Sequence, residues 1–120
     1  MKKILIIEDE RPIAHAMELK LKKAGFDAQI APNGEEAVKI LEKGEFDLAL
    51  LDLVMPKLDG FGVLEEVKNK KIKTKIIVTS NLSQDDDIKK AKSLGAIDFL
   101  VKSDTSIVGI VERVKSVLGA

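Results

Sequence analysis

The chain has 120 residues, with 20 Lys and Arg against 20 Asp and Glu, one His and no Cys. That length suits one domain, which buries roughly two thirds of its extended-chain surface on folding and so holds a core without metal or disulfide. Balanced charge gives no net field toward nucleic acid or an anionic membrane, missing thiols exclude disulfides and thiolate metal sites, and a lone histidine leaves little for a zinc site or a histidine-based triad. Any metal is therefore expected on hard oxygen ligands. The opening MKKILII is interrupted by Glu8, Asp9 and Glu10, too early for a signal peptide or a membrane span, so a cytoplasmic protein is expected.

Aliphatic runs bounded by turn signals predict strands at 3–8, 26–31, 47–52, 74–79 and 97–101, each followed by a stretch long enough for a crossover helix. The first run, KILII, stops at Glu8 and Asp9. On the helix that follows, His15 shares a polar face with Glu18 and Lys22 and reads as a surface histidine rather than a phosphorelay residue. Gly25, Gly44 and Gly95 follow helix ends, while Asn33 and Ser83 each stand three residues before an acid, as capping boxes do. The third run, LALL, stops at Asp52, and the fourth, IIVT, at Ser80.

The triple acid Asp85-Asp86-Asp87 suits the first turn of the fourth helix, with Lys89, Lys90 and Lys92 toward its end. That helix offers chiefly Ile88, Ala91 and Leu94 to a core, so it is expected to be weakly held and a candidate for movement. The fifth run, IDFLV, stops at Lys102. From Thr105 to Leu118 the residues Ile107, Ile110, Val111, Val114, Val117 and Leu118 form one stripe, the spacing of a helix packed on a sheet. Val108 falls off that stripe and is expected to add apolar area to a partner face of fourth helix, fifth strand and fifth helix. Residues 1–120 thus read as a single domain with no output domain, whose effect passes to a separate molecule or a second copy.

Polar groups at the carboxyl ends of parallel strands stand where open α/β sheets bind ligands. Taken singly, Lys102 is a surface lysine, Ser80 a turn serine, and Glu8 and Asp9 solvated acids in a helix-entry loop. Taken together they form a chemical set. Carboxylates at the ends of two strands repel one another unless a cation sits among them, and Mg²⁺, a hard ion usually held by one or two carboxylates plus phosphate oxygens, suits them. Asp52 is the one ionisable group in an apolar stretch, and a carboxylate beside a divalent cation can attack a phosphoryl group to form an acyl phosphate. The Lys102 ammonium could balance the transferred charge, and the Ser80 hydroxyl could move toward a phosphoryl oxygen.

With this spacing the whole chain resembles the bacterial response-regulator receiver domains, of the stand-alone kind typified by the chemotaxis regulator. Glu8-Asp9 matches the family's acid pair, Asp52 its phosphoacceptor, and Met55-Pro56 with Asp59-Gly60 the loop that follows. Ser80 matches the hydroxyl, Gly95-Ala96 the turn before the last strand, Phe99 the switch aromatic and Lys102 the lysine. The resemblance implies a flavodoxin-like (βα)5 three-layer sandwich with a parallel sheet in order 2-1-3-4-5. It also implies Mg²⁺ held by Asp9, Asp52 and the Val54 main-chain carbonyl, with Glu8 acting through water. The phosphoryl donor would be a histidine kinase or phosphotransfer protein, and the output a changed affinity for a downstream protein, or for a second copy, at the face of fourth helix, fifth strand and fifth helix. Neither nucleic acid nor membrane is expected as a direct partner. Turnover is not expected beyond slow self-phosphorylation and self-dephosphorylation.

The departures carry expectations of their own. Ser103 follows Lys102 where the family usually has proline, often after a cis bond; a cis bond before serine costs about 2.5 to 4 kcal/mol, so a trans bond or a rearranged loop is expected. Asn81 stands where a small residue is usual and is expected to narrow access to Asp52 and slow phosphorylation. Val54 and Leu82 flank the phosphoryl position with apolar groups, which predicts a long-lived acyl phosphate. Two other classes share parts of this set. An Asp-nucleophile phosphohydrolase would use the same nucleophile and metal but wants a second acid two residues on, where this chain has Val54. A flavodoxin wants a phosphate-cradling loop and a stacking ring, against an EDERP loop and no Trp or Tyr. A phosphate-independent docking module of the receiver type remains the nearest alternative.

Overall fold

The computed structural model of the chain describes residues 1–55, 57–82 and 84–119. Strands and helices alternate: β1 Lys3–Ile7, α1 Arg11–Lys23, β2 Asp27–Ala31, α2 Gly34–Leu41, β3 Leu48–Leu51, α3 Gly60–Asn69, β4 Lys75–Ser80, α4 Asp85–Ser93, β5 Asp98–Val101 and α5 Ile107–Leu118. All strand pairs are parallel and the sheet order is β2-β1-β3-β4-β5, the order expected. Most strands are a residue or so shorter than their apolar runs, and β4 reaches one further, to Ser80. The flanking residues keep single ladder bonds, such as Asp52 N–H to Ile7 O at 3.0 Å and Ile97 N–H to Ile76 O at 2.9 Å.

The central strands are apolar on both faces because helices cover both. Ile4, Ile6, Leu48, Leu50 and Ile77 meet Ala14, Met17 and Leu21 of α1 and Ile110, Val111 and Val114 of α5. Their alternating neighbours, including Leu5, Ile7, Leu51 and Val78, meet α2, α3 and Ala91 of α4. Truncating one of these fully buried leucines to Ala costs about 2 to 5 kcal/mol in comparable cores.

Capping agrees with the sequence at Asn33, whose side chain accepts from Glu36 N–H at 2.9 Å. The cap expected at Ser83 and the loop residue Pro56 lie outside the described residues. Ala91 is the one buried side chain of α4, which fits its sparse apolar content. Val108 is 57% exposed, as expected, but on a different face. It lines a cleft with Lys20, Lys23 and Ala24, beside α1. The stripe that seats α5 turns Val108 toward α1, while the side of α5 next to β5 presents Gly109 and Arg113, with Thr105 just before the helix.

Three helices close with the same pair of bonds. After α1, Phe26 N–H reaches Leu21 O and Gly25 N–H reaches Lys22 O; after α4, Ala96 reaches Ala91 and Gly95 reaches Lys92; after α3, Ile72 reaches Val67 and Lys71 reaches Lys68. The closing residue must be left-handed, with φ of 94° at Gly25, 109° at Gly95 and 56° at Lys71. Glycine adopts that region freely, whereas lysine's Cβ meets a carbonyl oxygen there. Lys71→Gly is therefore expected to raise stability by about 0.5 to 1 kcal/mol, read as a higher urea midpoint at unchanged slope.

Candidate functional site

The carboxyl edge of the sheet collects the polar residues. Glu8 follows β1, Asp52 follows β3, Ser80 ends β4 and Lys102 follows β5. Oxygens of Glu8, Asp9 and Asp52 lie within 4.8 Å of one another. Asp9, Glu10, Asp52, Ser80 and Lys102 line one cavity of about 350 Å³, with Val54, Asn81 and Leu82 completing its wall. Every sequence-predicted site residue except Phe99 is therefore at or beside this cavity. Phe99 sits in β5 opposite Val78, partly buried on the side where α4 packs.

Hydrogen bonds fix the arrangement. Asp52 Oδ1 accepts from Val54 N–H at 3.4 Å, and Ser80 Oγ accepts from Leu82 N–H at 3.2 Å. Lys102 N–H donates to the Ser80 carbonyl at 2.9 Å, so the lysine and the serine are joined through the backbone. The Lys102 side chain turns inward, paired directly with Glu8 and 3.6 Å from Asp52 Oδ2. Among the described residues every peptide bond is trans, Lys102–Ser103 included, as the serine led us to expect.

Glycines set how closely the loop after β3 can lie. A Cβ on Gly60 would stand 2.6 Å from the Asp52 carbonyl oxygen and from Leu53 Cα, and one on Gly34 would collide with the Leu58 carbonyl. The start of α2 thus supports the loop that carries Val54.

Glu8 is 2% and Asp52 5% exposed. Burial raises the Glu8 carboxyl above its ordinary range, the Lys102 hydrogen bond opposes the rise, and the Asp52 charge adds to it. Burial likewise raises Asp52, opposed by the Lys102 charge and the Val54 N–H. Desolvation thus outweighs the single ammonium that two carboxylates share. A cluster of hard carboxylate oxygens short of positive charge fits Mg²⁺.

The profile described as the response regulator receiver domain matches residues 4–114. The chain belongs to that family. A probable transcriptional regulator, ycf27 of Porphyridium aerugineum, is 42% identical over 100 residues, which is 83% of this chain and 41% of that protein. This chain therefore spans less than half the length of that relative. Among solved structures, the receiver domain of Francisella response regulator 1452 superposes with a TM-score of 0.90 at 28% identity, covering 97% of this chain and 95% of the other. TrrA of Thermotoga maritima, solved in complex with Mg²⁺-BeF, has a TM-score of 0.84 at 34% identity, covering 97% and 98%. Receiver domains are phosphoacceptors of two-component signalling rather than turnover enzymes, and they bind Mg²⁺ in an acidic pocket. Among the described residues no helix is long and apolar enough to cross a membrane.

Three features of this receiver escaped the sequence reading. Glu8 is the direct partner of Lys102, Glu10 lines the cavity, and Gly34 supports the loop after β3. The first two follow from a fold that brings residue 102 to residue 8. The third had a trace in the sequence, a glycine directly after a capping asparagine.

A raised folded-state pKa means that the folded protein holds its proton to higher pH than the unfolded chain, so these carboxyls weaken the fold as pH rises through the ordinary carboxylate range. Asp52→Asn keeps the shape and removes the charge. It is expected to stabilise the metal-free protein at neutral pH by on the order of 1 kcal/mol, with the gain fading as pH falls through the raised folded-state value and gone below about pH 4, where the aspartate takes up its proton in the unfolded chain as well. Urea titrations at the two pH values check both the sign and the fading.

Proposed function

We propose that this receiver domain is a phosphorylation-controlled switch in which Asp52 is the phosphoacceptor. The observation that carries the reading is the convergence of a buried Asp52, Lys102, Ser80 and two further acids on one cavity. An Asp52 carboxylate oxygen attacks the phosphorus of a phosphohistidine, the O–P bond forms as the N–P bond breaks, and the imidazole leaves with the electron pair. The product is an acyl phosphate. Asp9, Asp52 and the Val54 carbonyl, with Glu8 through water, are the groups we assign to Mg²⁺, which when bound neutralises the oxygens of the incoming phosphoryl group. Lys102 has an exchange available to it: its ammonium, now between Glu8 and Asp52, can turn to the phosphoryl oxygens.

Ser80 links chemistry to shape. Its oxygen accepts from Leu82 N–H, so a hydroxyl drawn to the phosphoryl group pulls on the loop that leads into α4. Because α4 buries only Ala91, little packing resists its displacement, and Phe99 lies beneath it. A coupling of about 1 to 3 kcal/mol suffices to change partner binding at the α4, β5 and α5 face. The reading places the protein in the cytoplasm, with a histidine kinase or phosphotransfer protein as donor.

Incubation with acetyl phosphate and Mg²⁺ is expected to add one phosphoryl group by intact mass, and Asp52→Asn is expected to abolish the gain. Failure of both modification and Mg²⁺ binding would favour a phosphate-independent docking module. Val54 is 61% exposed at the cavity's wall and offers no group to orient water. The acyl phosphate is therefore expected to be long-lived, and Val54→Glu to shorten its half-life roughly ten- to a hundredfold, followed as loss of the added mass after donor removal.

A further inference from the structure

A second surface lies at the opposite end of the sheet. α3 and α4 cover the same face of the sheet, with the Lys90 ammonium 4.5 Å from the centre of the Phe61 ring. Between their carboxyl-terminal ends lies a groove of about 290 Å³ whose apolar lining comes from Leu64, Val67, Ile72, Ile76 and Leu94. Ser93 and Gly95 form one lip, and Lys68 and Lys71 the other. The Thr74 hydroxyl at its floor is already committed to the Phe46 carbonyl at 3.0 Å. Ile97, 48% exposed, is held next to the groove by its backbone bond to Ile76.

The charge on the rim of the groove is of one sign. Lys68, Lys71, Lys73, Lys75 and Lys92 are all exposed, and among the described residues none lies within 4.0 Å of a carboxylate. Lys68 and Lys71 thus set unpaired positive charge directly on the rim of an apolar slot. A small-molecule cofactor suits the slot poorly. Both hydroxyls of its lining, Thr74 and Ser93, are already committed to backbone carbonyls, which leaves few groups to fix a small ligand's orientation. Nucleic acid would engage the lysines but leave the slot unused, since no aromatic side chain lines it for base stacking. Carboxylates spaced around an aliphatic anchor satisfy both parts at once.

We propose that the groove between α3 and α4 is a docking site for an acidic amphipathic segment of a partner protein, its leucine-like side chains in the slot and its carboxylates on Lys68, Lys71 and their neighbours. The site is distinct from the α4, β5 and α5 face and stands whether or not Asp52 is phosphorylated.

The test uses the whole unmodified protein and a fluorescein-labelled probe peptide, with leucines on one helical face and glutamates on the rest. Saturable anisotropy is expected, with amide shifts in ¹⁵N spectra concentrated at residues 67–72 and 93–95. The double substitution Lys68→Glu, Lys71→Glu is expected to weaken binding about tenfold or more, and Ser93→Tyr, which fills the slot without changing charge, to do the same. Replacing the peptide's leucines by serine should weaken it equally. Thermal melts establish that both variants fold, and either variant suffices for the comparison. Absence of saturable binding, shifts centred elsewhere, or equal affinity for the serine peptide would overturn the proposal. So would self-association of the protein alone that Lys68→Glu, Lys71→Glu abolishes, since the occupant would then be a second copy.

Discussion

Two carboxylates buried at the end of one sheet share one ammonium, and the rest of the site is arranged around that shortage. Glu8 and Asp52 are nearly solvent-free, yet Lys102 is their only paired cation among the described residues. Unpaired buried charge is among the most destabilising features a core can carry, and here the apolar sheet beneath tolerates it. That sheet is hydrophobic on both faces and clamped by helices on each, which gives the edge a rigid platform. The arrangement is frustrated in the direction that cation binding needs: a hard cation supplies the positive charge that the fold leaves missing.

The proposed switch draws on the same edge. Lys102 and Ser80 share a backbone bond, Ser80 holds Leu82, and Leu82 opens the loop into the helix with the least buried surface. In the switch we propose, a small displacement at the edge reaches a loosely seated element rather than dissipating in the packed core. On the far side of the cavity, the Gly34 and Gly60 contacts keep the loop after β3 stiff. One wall is closely packed, and the other leads into the helix with the fewest buried side chains.

Much of this was legible in the residues. Doubly apolar strands ending in Glu8, Asp52, Ser80 and Lys102 announced a parallel sheet with a polar edge, because a strand covered on both faces has no other place for charge. The five-unit alternation, the Asn33 cap and the sparse core of α4 could be read from local chemistry, as could the trans bond before Ser103. Strand ends were less legible, since a residue such as Asp52 keeps one ladder bond without belonging to the strand. Val108 shows the limit of a periodic pattern. The helical stripe says which residues leave the core, but which neighbour they then face depends on the packing of α1 against α5.

The sequence alone determined the elements, their order along the chain and the chemical kinds of group at the sheet's edge, because these follow from period, burial and turn preference within short windows. Tertiary structure decided everything that depends on distance between remote residues. The pairing of Lys102 with Glu8, the support of the β3 loop by Gly34 and the slot between α3 and α4 arise only once the strands are laid in the order β2-β1-β3-β4-β5 with the helices packed on them. Electrostatics and packing act over a few ångströms, and sequence separation carries no such metric.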